Sequence, residues 1–185
     1  MKLSTTILYS LVLFFFLASC RHDSIPEDIH EHEEVELVNL ELIEKGNETN
    51  KQLIQYIGGK ADKAIALEAG KTYDVKLDFL HAHDDHFHSM LEEIVEEKDE
   101  HFITYSFAGV ELELVRTGTD VVRTDGQRLG VNTEWKILSK SGEGKLAIQL
   151  YHGSSSVEAN VPSEKLQLGK VTGGSADVNM QININ

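Results

Sequence analysis

The chain has 185 residues, 41% of them hydrophobic, with 31 acidic against 17 basic side chains and a formal net charge of −14. That length suits one domain with a core of its own. A surface so negative repels nucleic acid and anionic lipid headgroups and attracts cations, so no nucleic-acid partner is expected.

Lys2 and the apolar run at residues 7–17 have the layout of a signal peptide, a basic start followed by a hydrophobic stretch. The run is too short to span a bilayer, which takes about 20 residues. It leads into Leu17-Ala18-Ser19-Cys20. That tetrapeptide resembles the lipobox of bacterial lipoproteins, which implies cleavage before Cys20 and lipidation of its sulfur and amine. Cys20 is the only cysteine, so the chain offers it no disulfide partner. Several acyl chains together anchor a protein stably where one does not. Residues 1–19 are thus expected to be a lipoprotein signal peptide. Residues 20–34 are expected to be an acidic tether, since His22, Pro26, His30, His32 and a run of carboxylates leave it almost no core formers. His30 and His32 could add weak metal ligands, but a solvated charge run is the expected reading of this segment.

Residues 35–185 read as a β domain. Val35 and Leu37 alternate, then Val38, Leu40 and Leu42 continue on the other parity, which suggests a bulge near Leu37. Gly46-Asn47 makes a turn. Short strands are expected near residues 53–57 and 64–67, on either side of Gly58-Gly59. Tyr73, Val75, Leu77 and Phe79 alternate with Asp74, Lys76 and Asp78, the pattern of a half-buried strand. His101, Ile103, Tyr105 and Phe107 repeat it. After Ala108-Gly109 come Val110, Leu112 and Leu114. Leu129, Val131, Trp135 and Ile137 form a further strand-like run. Ser141-Gly142-Glu143-Gly144 reads as a turn into another strand with Leu146, Ile148 and Leu150. Val178, Met180, Ile182 and Ile184 close the chain. One segment breaks the pattern: Ser89 followed by Glu92 reads as a capping box, with a short helix over residues 90–97 carrying Met90, Leu91, Ile94 and Val95 on one face. The expected fold is all-β, an Ig-like β-sandwich of about seven to nine strands with one short helix.

Between the Tyr73 strand and that helix lies His81-Ala82-His83-Asp84-Asp85-His86-Phe87-His88. Imidazole is a ligand for zinc, copper and nickel, and packing a core gives no reason to gather four of them. A hairpin or short loop would bring His81, His83, His86 and His88 onto one side. If the strand through Phe79 pairs antiparallel with the strand starting at His101, then His101 meets His81 and His83 at one rim. Asp84, Asp85, Asp99 and Glu100 could then ligate or hold imidazole tautomers. Zinc is the first expectation, copper or nickel the next. The plain counter-reading is a solvated histidine-rich loop. His152, isolated at the end of its strand, reads as structural or merely exposed.

The letters His81-x-His83-x-Asp85-His86 also match the H-x-H-x-D-H signature of metallo-β-lactamase-fold hydrolases, in which zinc-bound hydroxide attacks a carbonyl or phosphoryl centre. His152 could be nominated as a further ligand. That family needs an αββα fold with several long helices, which this sequence does not encode, and Phe87-His88 stands where its glycine would follow. A non-enzymatic role is expected.

Four segments together resemble a family of small, poorly characterised lipoproteins of Bacteroidetes-type bacteria. They are Pro26-Glu27-Asp28 running into Glu33-Glu34-Val35 and Val38-Asn39-Leu40-Glu41-Leu42; Thr72-Tyr73-Asp74-Val75-Lys76-Leu77; the acidic helix ending in Asp99-Glu100-His101; and Gly144-x-Leu146-x-x-x-Leu150-x-His152. The resemblance implies a β-sandwich lipoprotein of the outer membrane, lipid-anchored and exposed at the cell surface, that accompanies a TonB-dependent transporter in nutrient or metal uptake. It carries over no catalytic residues, and the histidine richness of residues 81–88 departs from it. The expected site is therefore His81, His83, His86, His88 and His101 for zinc, with Cys20 as the lipidation site. A structural or adhesive surface lipoprotein without metal is the alternative.

Overall fold

The computed structural model describes residues 34–159 and 167–185, so the expectations for the signal peptide, Cys20 and the tether with His22, His30 and His32 lie outside the described residues. Among the described residues ten strands and one helix follow in order: β1 (Leu37–Glu44), β2 (Lys51–Ile57), β3 (Lys60–Ala61), β4 (Thr72–His83), β5 (His86–Ser89), α1 (Leu91–Glu96), β6 (Phe102–Arg116), β7 (Asn132–His152), β8 (Ser156–Glu158), β9 (Lys170–Thr172) and β10 (Ser175–Ile184). The fold is all-β and sandwich-like. Eight strands form one antiparallel sheet along the path β10-β7-β4-β1-β2-β3, with β5 added to β4 and β6 to β7, while β8 and β9 make a separate ribbon. No helix among the described residues is long and apolar enough to cross a membrane.

The sheet folds over its main core because its longest strands bend, and a small second cluster of Phe102, Val157 and Ala159 lies outside it. β7 has 21 residues, and at about 3.3 Å per residue a straight strand of that length would run about 70 Å, far beyond a domain this size. The bend comes where Gly142-Glu143-Gly144 of β7 faces Ala108-Gly109-Val110 of β6. There the register jumps from Ala108↔Lys145 to Val110↔Lys140. Before the bend β7 also pairs with β4 (Tyr73↔Trp135), and after it with β10 (Met180↔Ile148). A parallel bridge between Ile65 and Ile184 ties the segment after β3 to β10, so the two ends of the sheet path meet. Alternating residues from these strands fill one cluster, among them Leu40, Leu77, Tyr105, Trp135, Ile148 and Met180.

Glycine is required at this bend. Gly109 has φ +74°, and a Cβ there would stand 2.8 Å from the Glu143 carbonyl oxygen. Gly109→Ala is expected to cost more than about 1 kcal/mol, since Ala meets both positive φ and a backbone clash. Gly46→Ala, at φ +80° but with nothing within 4 Å, should cost less. Urea midpoints of the two variants check the order, and equal midpoints would mean that the close approach is not limiting.

Four local expectations need correction. β1 pairs with β2 and β4 without a register shift, so there is no bulge at Leu37; Leu37 and Val38 are simply both buried. The segment at residues 64–67 contributes a single bridge rather than a strand. Ser141 to Gly144 does not separate two strands but bends one. Ser89 ends β5 opposite Leu80 and stands one position before the helix N-cap, Met90, which makes no side-chain cap; the Ser89 hydroxyl donates to Asp78 (2.5 Å) and also accepts from the Leu91 amide (3.3 Å), so the serine half of the expected cap is made from one residue further back. Ile94 and Met90 are buried as expected of the helix face, whereas Val95 is exposed.

Candidate metal centre

The histidine segment is a β-hairpin. β4 runs straight out of the core through His81 and His83, Asp84-Asp85 turns, and β5 returns with His83↔His86, Ala82↔Phe87 and His81↔His88 in register. Asp84 takes φ +55°, the left-handed conformation that Asp tolerates better than most residues. Side chains on a strand alternate, and directly paired residues share a face. The sequence therefore places all four imidazoles on one face and Ala82 with Phe87 on the other.

Ring centroids are 5.7 Å apart for His81 and His88, 6.0 Å for His83 and His86, 5.5 Å for His83 and His88, and 4.4 Å for His86 and His88. One nitrogen from each of His83, His86 and His88 lies within 4.8 Å of the others. A tetrahedral zinc with bonds of about 2.0–2.1 Å holds its ligand nitrogens about 3.4 Å apart, so side-chain rotation of exposed rings closes the difference. Two carboxylates already act on these rings: Asp85 Oδ1 is 3.0 Å from His86 Nδ1, and Asp84 Oδ2 is 3.5 Å from His83 Nδ1. A carboxylate at Nδ1 favours the tautomer whose Nε2 lone pair is available to a metal.

His101 is not part of this rim. β4 and β6 do not pair; each pairs with β7, which separates them in the sheet. His101, only 5% exposed, precedes β6 and lies beside the end of β7, where Phe102 pairs with Tyr151. Its ring stacks on His152 with centroids 4.9 Å apart and planes inclined by 26°. His152, read from the sequence as isolated, thus belongs to a second group with His101 and Glu97 whose ligand atoms also lie within 4.8 Å of one another. Asp99 and Glu100 likewise take partners outside the hairpin. Asp99 accepts from the Thr124 amide (2.7 Å) and hydroxyl (2.5 Å), which hold its carboxyl below the usual range, and Glu100 faces His152 (3.0 Å).

Burial, and after it the neighbouring His152 imidazole, push the His101 pKa down. The neutral ring is thus favoured in the folded chain. The unfolded chain binds the additional proton once pH falls below the ordinary histidine value of about 6.5, so stability is lost on acidification from there. Metal-free chain in chelator should show a falling melting temperature from pH 7 to 5.5, and His101→Gln should flatten that slope. An unchanged slope would mean that His101 is not the group responsible.

Sequence reasoning missed a buried polar cradle under β6. Arg116 donates to the carbonyls of Ile103 (2.7 Å), Leu129 (2.8 Å), Gln167 (3.2 Å) and Leu168 (3.3 Å), with its guanidinium carbon 4.5 Å from the centre of the Phe102 ring. Nearby, Asp120 accepts from the amides of Gly130 (2.7 Å) and Asn132 (3.0 Å). The signal was parity: Arg116 continues the inward series Leu112, Leu114.

The H-x-H-x-D-H letters lie on this hairpin, and the described residues contain one helix of six residues, which is not an αββα fold. Comparisons with protein-family models, curated proteins and solved structures find no match to the chain.

Proposed function

We propose that the chain is an outer-membrane lipoprotein that captures a transition-metal ion, zinc first and copper or nickel next, on the face formed by His81, His83, His86 and His88. Its task is accessory to uptake, holding metal or a nutrient complex near a transporter of the TonB-dependent kind, and it performs no catalysis. The observation that carries this reading is the gathering of four imidazoles on one face of one hairpin, with Asp84 and Asp85 beside two of the rings. The net charge of −14 adds a long-range attraction for cations. The lipobox-like Leu17-Ala18-Ser19-Cys20 supports the anchor.

Calorimetric zinc titration tests the site. Changing His81 and His83 together to Gln should remove one equivalent of zinc binding, whereas changing His30 and His32 should leave it. The first pair is held by strand pairing, while the second lies in a segment whose composition gives it no core to order it, so it must lose more entropy to ligate. Zinc on this face should also be released on acidification, because a protonated ring cannot ligate. Equal losses in both variants would reduce the histidines to a diffuse cation sponge, and no binding at all would leave a structural surface lipoprotein. For the anchor, labelled palmitate should enter the wild-type chain and not Cys20→Ser; label in both would end the lipobox reading.

A further inference from the structure

We infer that Glu97, His101 and His152 form a second, partly buried metal site, suited to a borderline divalent ion such as zinc, where the turn after α1 meets the ends of β6 and β7. It goes beyond the hairpin reading and does not depend on it.

Three elements bring the groups together. Glu97 is the C-cap of α1, and its carbonyl accepts from the Glu100 and His101 amides (2.9 and 3.3 Å), so the chain folds back over the helix end and brings His101 to it. His152 is the last residue of β7, and the register Phe102↔Tyr151 sets it beside His101. The backbone here is fixed from a third side, because Arg123 donates to the carbonyls of His101 and Lys98. Ligand positions fixed in this way by packed strands and a helix end give a metal a site whose ordering cost is already met.

The donor chemistry fits a metal. His101 Nδ1 stands 3.2 Å from the Glu97 carbonyl oxygen, which can only accept, so Nδ1 carries the proton and Nε2 keeps the lone pair. His152 Nε2 stands 3.0 Å from Glu100 Oε2, and a carboxylate there places the proton on Nε2 and the lone pair on Nδ1. Metal-bound histidines characteristically have their other nitrogen held in this manner by a carbonyl or a carboxylate. Glu97 Oε2 is buried with no hydrogen-bond partner among the described residues. A buried carboxylate oxygen without a partner is costly, and a cation bound to it removes the cost. Two stacked imidazoles with one carboxylate make a His2Glu donor set, a known three-ligand set for zinc that leaves a fourth position for water. Mixed nitrogen and oxygen donors disfavour calcium and magnesium, which take oxygen alone.

The experiment uses the tag-free full chain in detergent and zinc or cobalt(II) alone as probe. In the variant carrying His81→Gln, His83→Gln, His86→Gln and His88→Gln, changes confined to the exposed hairpin, one zinc per chain should remain, and cobalt(II) should give visible absorption bands. Adding Glu97→Gln, which keeps the side chain's shape, should weaken that remaining site at least about tenfold and erase the bands. If the hairpin variant is folded by circular dichroism and binds no zinc while wild type binds one, the second site is overturned and the hairpin reading stands. If wild type binds none, both fall. Should the hairpin variant bind zinc with equal affinity with or without Glu97→Gln, the assignment to this cluster is overturned as well.

Discussion

Trp135→Ala is expected to destabilise the chain by about 3–5 kcal/mol, the range for removing a large buried aromatic side chain. Trp135 is fully buried on β7. Its ring packs edge-on against Phe107 at 5.1 Å and Tyr105 at 5.9 Å, and its Nε1 donates to Thr133 Oγ1 (2.9 Å). Trp135 pairs with Tyr73 of β4 before the bend, while its ring meets Tyr105 and Phe107, which pair with Ile148 and Leu146 of β7 after it, so the indole joins both parts of the folded-over sheet. Removing it leaves a cavity that paired backbone on both sides cannot close, and the remaining rings lose their contacts. Trp135→Phe keeps most of the apolar volume and gives up the hydrogen bond, so it should cost much less. Guanidinium titrations monitored by circular dichroism give both values; a loss below about 1.5 kcal/mol for Trp135→Ala would mean that the core collapses into the gap.

The strand runs were readable because alternation is local. Tyr73 to Phe79 and Val178 to Ile184 are buried on every second residue, as their sequence demands. The convergence of His81, His83, His86 and His88 was readable for the same reason: a two-residue turn and a period of two are enough to place four rings on one face. What failed depends on distant pairing. Gly142 and Gly144 carry a turn signal, yet fourteen paired positions between β6 and β7 run past them, and the local signal becomes a bend. His101 was placed with the hairpin by assuming that successive long strands pair. They do not, because β7 lies between β4 and β6. Only that register brings residues 101 and 152 into contact, and nothing near either residue announces it. The helix shows a third kind of failure. Met90 and Ile94 are buried but Val95 is exposed, and Ser89, held at the end of β5 by its bond to Asp78, reaches the Leu91 amide from one residue before the helix N-cap.

Arg116→Met is expected to cost about 3–5 kcal/mol, as removal of one member of a buried charged arrangement does. The guanidinium is 3% exposed, and burial lowers its pKa to about 10, so it remains charged at neutral pH. Met fills similar space but donates nothing, so the carbonyls of Ile103, Leu129, Gln167 and Leu168 each lose a donor, although Leu129 and Leu168 still accept from the amides of Ile103 and Tyr105. Lys would not replace it either: a single ammonium cannot match a planar fork that serves four acceptors. The pH dependence separates this account from simple loss of packing. Asp120 is 4% exposed and burial raises its pKa, while the Asn132 and Gly130 amides, and after them the Arg116 charge, oppose that rise. Without Arg116 the carboxylate is harder to keep charged, so its folded-state pKa rises further. An acid whose folded pKa lies above its unfolded value binds its proton more readily in the folded chain, and stability is regained as pH falls through the folded value. The deficit of Arg116→Met relative to wild type should therefore be largest near pH 7 and shrink as pH is lowered toward 4. Parallel denaturation curves at several pH values measure it. A deficit that stays constant across that range would mean that Asp120 does not sense Arg116 and that the lost carbonyl hydrogen bonds account for the whole effect.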